Sequence, residues 1–372
     1  MTTFSDVLDT MDWETIRQGV LDKTLTDVDR ALARRGTLDL EDFMALISPA
    51  AQARLEVMAE RSRELTLKRF GRTAQLYIPL YLSNECTNHC VYCGFSALND
   101  IPRKTLNREE IRQEGEFIRH WGFEHLLLLT GEDARNADVD YMVDAVKLLR
   151  PMFAQISLEV QPLAVEDYHR LIQAGVSAVY VYQETYHKEA YPQYHPKGKK
   201  AIFKWRLETP DRLGQADMRK IGLGCLLGLE DWRADVTYMA AHIRYLEQVY
   251  WRARYCVSFP RLRPHAGCFE PNHPLNDKDL AQLIWAFRIF DPDLELSLTT
   301  REAPSYRDHM LGLGVTHISA GSHTDPGGYS GKHALEQFVV NDDRSPEQVV
   351  DAVRAKGYEP VWKDWDMVLE HG

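Results

Sequence analysis

The sequence predicts a single (β/α)8 barrel of the TIM type, carrying a helical N-terminal extension and a short C-terminal extension. Three observations carry that prediction. Between residues 73 and 326, eight short apolar, β-branched or aromatic runs alternate strictly with amphipathic helical segments. Each run is short enough to be buried on both faces, which fits a closed parallel barrel and argues against an open doubly wound sheet. The one dense cysteine group, Cys86, Cys90 and Cys93, directly follows the first run, and reactive groups of such barrels sit at the carboxyl ends of strands.

Residues 1–72 read as the helical extension. Leu8, Met11 and Ile16 mark one apolar face, and Leu40, Phe43, Met44 and Leu46 mark another. Asp39 is placed to N-cap the second, with Glu41 and Asp42 adding negative charge to its first turn. Those faces need a surface to cover them, so the extension is expected to pack on the main body. Within the barrel, strands are expected over 76–82, 125–130, 154–159, 178–183, 220–226, 254–259, 295–298 and 315–319. Helices are expected over 108–121, 138–150, 164–174, 201–216, 231–251, 277–290 and 304–313. Residues 327–372 form the C-terminal extension, expected to pack on the barrel with one helix over 346–356, followed by Val361-Trp362-Lys363-Asp364-Trp365.

Composition sets the bounds. An apolar fraction of 44% and a charged fraction of 27% over 372 residues describe a globular chain, and apolar runs such as 126–129 fall far short of a membrane span. Asp6, Asp9, Asp12 and Glu14 occupy the start, where a secretory signal would be basic and then apolar, so a cytoplasmic location is expected. The 44 basic against 55 acidic residues leave a net charge of −11, which argues against nucleic acid as a partner. The local exception is Lys197, Lys199, Lys200 and Lys204, interleaved with Tyr186, His187, Tyr191, Tyr194 and His195. This segment reads either as a lid or protein-docking surface or as a solvated loop. Six cysteines do not make a disulfide framework in so long a chain, and Cys225, Cys256 and Cys268 read as buried thiols.

The chemistry begins at Cys86-Thr87-Asn88-His89-Cys90-Val91-Tyr92-Cys93. Three thiolates within eight residues can converge on one soft metal centre. A zinc site with His89 as fourth ligand, or a disulfide with a spare thiol, are the plain alternatives. The C-x3-C-x2-C spacing closely resembles that of the radical S-adenosylmethionine (SAM) superfamily. The resemblance implies a [4Fe–4S] cluster held by Cys86, Cys90 and Cys93, with one iron left open for SAM and Tyr92 beside the adenine.

Other strand ends extend the likeness. Gly131-Glu132 resembles the Gly-Gly-Glu turn whose backbone meets the SAM amine, with Thr130 in place of the first glycine. Glu159 ends the third strand, where a carboxylate is costly without a cation, a role the SAM ammonium would fill. Arg206 stands where biotin synthase and similar enzymes hold the SAM carboxylate, and a guanidinium fork suits that group. The stretch from Gly222 through Gly224 and Leu226 to Asp231 resembles the superfamily's adenine motif, imperfectly, with Leu226 in place of isoleucine. The ends of strands seven and eight, with Thr324–Tyr329, resemble the aromatic amino-acid lyase branch, and within it the tyrosine lyases, over nearly the whole chain. That likeness implies that Arg301 holds the substrate carboxylate, that Ser319 lies near the amine, and that Tyr81 contacts the substrate. It also implies cleavage of the Cα–Cβ bond of L-tyrosine to 2-iminoacetate and p-cresol for thiamine biosynthesis. An electron from flavodoxin or ferredoxin and hand-over of the product to thiazole synthase would follow. Tryptophan as substrate is the neighbouring alternative, and a non-catalytic metal scaffold the distant one. The tail has no cysteine, unlike the hydrogenase-maturation lyase of the same branch, which binds a second cluster there.

Overall fold

A computed structural model describes residues 3–267, 269–331 and 336–363. Eight parallel strands close on themselves: β1 (Thr73–Ser83), β2 (His125–Thr130), β3 (Gln155–Glu159), β4 (Val176–Tyr180), β5 (Lys220–Gly224), β6 (Arg254–Ser258), β7 (Glu295–Leu298) and β8 (His317–Ser319). Each pairs with the next, and β1 pairs with both β2 and β8, which closes the barrel. A ninth strand the sequence did not announce, β9 (Glu359–Val361), lies parallel to the start of β1, at Thr73 to Gln75. Since Gln75 also pairs with His317, β9 must occupy the edge of β1 opposite β8.

Two segments differ from the expectation. The helix expected over 201–216 is two, Phe203–Leu207 and Thr209–Gln215, because Pro210 lacks the amide a continuous helix would need and instead opens the second one. β4 runs over Val176–Tyr180, two residues earlier than expected, because the chain leaves the ladder before Tyr182. Elsewhere the capping chemistry holds. Asp39 accepts the amide of Asp42 at 2.9 Å, and the two form a capping box at the start of Leu40–Ile47.

The N-terminal helices cover the outer barrel helices. Phe43 packs on Phe287 and Phe290, at 4.8 and 4.9 Å between ring centroids, and Gln282 donates to the carbonyls of Leu46 and Ser48. Phe4 and Trp13 stack on His242 and His187. The apolar faces seen in the sequence therefore close against the barrel. No helix among the described residues is long and apolar enough to cross a membrane.

Candidate active site

At the carboxyl end of β1 the chain leaves the ladder as a long loop, and Arg103 organises it. Its guanidinium donates to the carbonyls of Asn84, Phe95 and Ser96, each at 2.8 Å, using the several donors of one planar fork to tie both ends of the cysteine segment together. The amides of Thr87, His89 and Val91 bond to the carbonyls of Glu132, Lys197 and Tyr194, so neighbouring loops fix the same segment from outside. The thiols of Cys86, Cys90 and Cys93 face one cleft. Their convergence on one cleft suits a shared metal centre. Cys225 and Cys256 are buried away from the cleft, and Cys268 lies outside the described residues.

The cleft, with about 970 Å³ of empty space, brings together ten of the twelve residues singled out by sequence: the three cysteines, Tyr92, Gly131, Glu132, Glu159, Arg206, Leu226 and Arg301. The other two, Tyr81 and Ser319, line an adjoining cavity of about 550 Å³ deeper in the barrel, which shares Glu159, Tyr182, Pro260, Arg301 and Phe338 with the first.

Around the cleft, charged groups satisfy one another. Arg206 reaches Glu132 at 2.7 Å and donates through Nε to the carbonyl of Tyr182. Asn88 donates to the other oxygen of Glu132 at 2.8 Å and accepts the amide of Lys200, whose Nζ meets Glu184 at 2.7 Å. Burial works against the charges of Lys200 and Arg206, but the carboxylates of Glu184 and Glu132 hold both above their ordinary range. Glu184 has a left-handed backbone, φ 71°, strain that a non-glycine residue tolerates only where its surroundings fix it. Tyr92 bonds His195 at 2.7 Å. Sequence reading missed Asn88, Glu184 and Lys200. It also read Lys200 and the aromatics around it as a lid, a docking surface or a solvated loop, whereas Tyr186, Tyr191, Tyr194 and His195 are buried and Lys200 lines the cleft.

Two glycines in the stretch likened to an adenine-binding motif each lie against a ring of the chain itself. A Cβ on Gly222 would lie 1.9 Å from the ring of Tyr180, and one on Gly224 would lie 2.7 Å from the ring of Tyr182. The rings they admit are the chain's own, which fill one side of the barrel interior. Asp231 caps the helix Trp232–Val249.

The deeper cavity is different in character. Leu127, Leu129, Pro79 and Pro260 line it together with Thr299, Thr300, Ser322 and Thr324, and Arg301 stands where it meets the cleft. Among the described residues no carboxylate lies within 4 Å of its guanidinium, which makes one long contact to the Arg261 carbonyl at 3.4 Å and stacks on Phe338 at 3.4 Å from the ring centroid. Burial pulls its pKa below the ordinary guanidinium range. Ser319 accepts the amide of Thr300 at 3.1 Å. Glu159, between the two cavities, is pushed up to about 7 by burial, which Arg301 only partly opposes. A carboxyl so placed lacks a cation, and the site fits a cationic ligand. Gln337 and Phe338 come from the segment after β8, whose amides at 337, 339, 341 and 342 bond the carbonyls of Thr324, Pro264 and Thr300 across three strand ends. Gln337 accepts from the Tyr81 hydroxyl at 2.8 Å and donates to the Cys93 sulfur at 3.7 Å. Nothing in the local sequence of the tail marks this return to the barrel mouth.

Comparison with known proteins gives consistent matches. The Radical SAM superfamily model matches residues 80–239, and the Biotin and Thiamin Synthesis associated domain matches 258–359. The chain is 51% identical to the 2-iminoacetate synthase of Escherichia coli (strain K12), over 99% of this chain and 98% of that protein. It is 50% identical to the 2-iminoacetate synthase of Salmonella typhimurium (strain LT2), with the same coverage. Among solved structures, HydG, a maturase of the [FeFe]-hydrogenase, superposes with a TM-score of 0.89 at 31% identity, covering 94% of this chain and 80% of that one.

Proposed function

The chain belongs to the 2-iminoacetate synthase family of radical SAM enzymes, and from that premise we propose that it cleaves the Cα–Cβ bond of L-tyrosine to 2-iminoacetate and p-cresol. It is a radical SAM lyase, and its cofactors are a [4Fe–4S] cluster and SAM. Cys86, Cys90 and Cys93 would hold the cluster, which would supply the single electron for reductive cleavage of SAM to methionine and a 5′-deoxyadenosyl radical.

The chain's own task is positioning. Arg206, Glu132, Glu159 and the Gly131-Glu132 backbone hold the polar end of SAM, and Tyr92 and Leu226 flank its adenine. Arg301 carries the reading for tyrosine. A guanidinium without a carboxylate within 4 Å among the described residues, at the junction of the cofactor cleft and the deeper slot, is placed to take the carboxylate of an amino acid whose ring lies below. Ser319 then stands near the amine, and Tyr81 meets the substrate from β1, which keeps the amine beside the SAM 5′ carbon. Phe338 and Gln337 cover the site and exclude water from the radical. The product supplies thiazole formation in thiamine biosynthesis, through thiazole synthase, and a flavodoxin or ferredoxin provides the electron.

Tyr182 lines the slot, but a clamp for the amino-acid carboxylate does not by itself choose between a phenol and an indole. Anaerobic incubation of the reconstituted protein with SAM, dithionite and each aromatic amino acid tests this. Tyrosine should give p-cresol with 5′-deoxyadenosine. Cleavage of tryptophan with tyrosine left intact would replace this reading with the neighbouring one.

A further inference from the structure

We propose that Gln337 is a positioning residue joining the two halves of the site: its side-chain amide donates to the Cys93 thiolate, which raises the reduction potential of the cluster held there, and it leaves the Tyr81 oxygen as an acceptor for the substrate amine. The first part rests on the cluster alone, and the second rests on the tyrosine reading above. Two contacts of one side chain carry it. Gln337 Nε2 lies 3.7 Å from the Cys93 sulfur, within hydrogen-bond reach of so large an acceptor, and its Oε1 accepts from the Tyr81 hydroxyl at 2.8 Å. The residue is built into its place. Its backbone amide donates to the Thr324 carbonyl at 3.0 Å, and its own carbonyl packs so closely on Gly94 that a Cβ there would lie 2.3 Å from the oxygen. Asn99 donates to the carbonyls of Cys93 and Gly94, at 3.1 and 3.0 Å, which fixes the loop that receives the contact.

Chemistry fixes the direction of both bonds. A thiolate on iron has lone pairs and no proton, so the amide must turn its NH2 group to Cys93 and its carbonyl to Tyr81. Tyr81 then gives its one proton to Gln337, and its oxygen can only accept. Tyr81 lines the deeper cavity with Arg301 and Ser319, so a substrate whose carboxylate sits on Arg301 brings a donor, its amine, to a cavity where that acceptor waits. At the other end, a hydrogen bond to a cluster sulfur strengthens as negative charge grows there, so Gln337 favours the reduced state. The couple takes up one electron, from dithionite in the test below, with no bond made or broken.

The test measures the midpoint potential of the reconstituted, SAM-free protein by dithionite titration followed by EPR, beside KM and kcat for L-tyrosine with SAM present. Gln337→Met keeps length and packing but donates nothing, so at a fixed potential its reduced-to-oxidised ratio should fall about tenfold, which is about 59 mV for a one-electron couple. Its iron and sulfide content should match wild type, and its KM for tyrosine should rise. Tyr81→Phe leaves the Cys93 contact in place, so it should raise KM several-fold and keep the wild-type potential. A wild-type potential in Gln337→Met would overturn the proposal, because a packing role alters KM without moving it. Equal lowering of the potential in both variants overturns it too, and an unchanged KM in Tyr81→Phe removes the acceptor role. Should Gln337→Met fail to take up the cluster, wild type decides. Gln337 is the one glutamine lining the cleft among the described residues, so heavy nitrogen placed in the glutamine side chains should show its coupling in pulsed EPR of the reduced cluster. Absence of that coupling overturns the contact. Absence of p-cresol from wild type overturns the tyrosine reading instead, while the potential still decides the role of Gln337.

Discussion

Arg206 and Arg301 stand at the two halves of one barrel mouth, and they are held in opposite ways. Arg206 is tied to Glu132 and to a backbone carbonyl, its charge reinforced by carboxylates on two sides. Arg301 has a ring beneath it, a long carbonyl contact and a pKa pulled down by burial. On the proposed reading, Arg206 belongs to a cofactor half that is organised before any ligand arrives and whose charged groups offset their own desolvation. On the same reading, the substrate half instead holds a cation with no ion-pair partner within 4 Å among the described residues, supported only by more distant groups such as Glu159, and a bound carboxylate would offset its desolvation. Preorganisation suits a cofactor needed in every turnover, and an unsatisfied cation makes the substrate half dependent on the substrate.

The comparison breaks most completely at the cluster. Alanine at Cys86, Cys90 or Cys93 should abolish iron and sulfide binding and all SAM cleavage, while Cys225→Ala and Cys256→Ala should keep both. A Cys90→Ala protein that reconstitutes four irons and cleaves SAM at the wild-type rate would remove the premise for both halves.

The two arginines should then separate. Arg206→Ala leaves Glu132 buried beside fewer partners, so it should lose roughly 3–5 kcal/mol of stability along with SAM affinity. Arg301→Ala removes a charge with no ion-pair partner within 4 Å among the described residues, so its melting temperature should fall less than that of Arg206→Ala. It should still form 5′-deoxyadenosine slowly, yet lose p-cresol formation by at least the factor of about 10–150 that a charge-assisted contact of ~1.5–3 kcal/mol represents. Thermal unfolding beside both product assays checks this. Parallel destabilisation of the two variants would erase the contrast.

This asymmetry also explains what the sequence could reveal. Cys86, Arg301, Ser319 and Tyr81 are polar or reactive residues at strand ends, and a barrel pattern suffices to place them at its mouth. Lys200 was hidden because a lysine among Lys197, Lys199 and Lys204 looks solvated, and only the fold shows the turn that sends it inward. Gly222 and Gly224 were legible as small residues facing a flat ring, but composition could not say that the ring belongs to Tyr180 or Tyr182. Gln337 and Phe338 reach the site through hydrogen bonds to loops far away in sequence, which local pattern does not encode.

Glu159 gives a smaller effect, readable by pH. Its pKa is raised to about 7, so between roughly pH 4.5 and 7 the folded protein binds a proton that the unfolded chain has released. Stability from this group is therefore present at low pH and lost as pH rises to about 7, by roughly 3 kcal/mol, and is flat above. Denaturant midpoints of the apoprotein, wild type minus Glu159→Gln, should show that slope. If the carboxylate meets cationic SAM, affinity should tighten as pH rises through about 7. A flat difference curve would mean that Glu159 is already satisfied without a ligand.

The smallest expected effect lies outside both halves, at Lys197 and Lys199, which remain exposed once Lys200 is assigned to the cleft. The Lys197 carbonyl accepts the amide of His89, so this positive edge is fastened to the cluster loop and lies where a partner receiving an unstable product could dock. Exposed charges steer association more than they hold a complex, because salt screens them beyond about 10 Å at 0.1 M. Lys197→Gln with Lys199→Gln should therefore slow association with thiazole synthase several-fold at low ionic strength, converge with wild type at high salt, and leave tyrosine cleavage by the isolated enzyme unchanged. Lys200→Gln should do the reverse, impairing SAM cleavage through the loss of its Glu184 pair while leaving the partner's association rate alone. If the double variant associates at the wild-type rate in low salt, this edge is solvated surface and the docking site lies elsewhere.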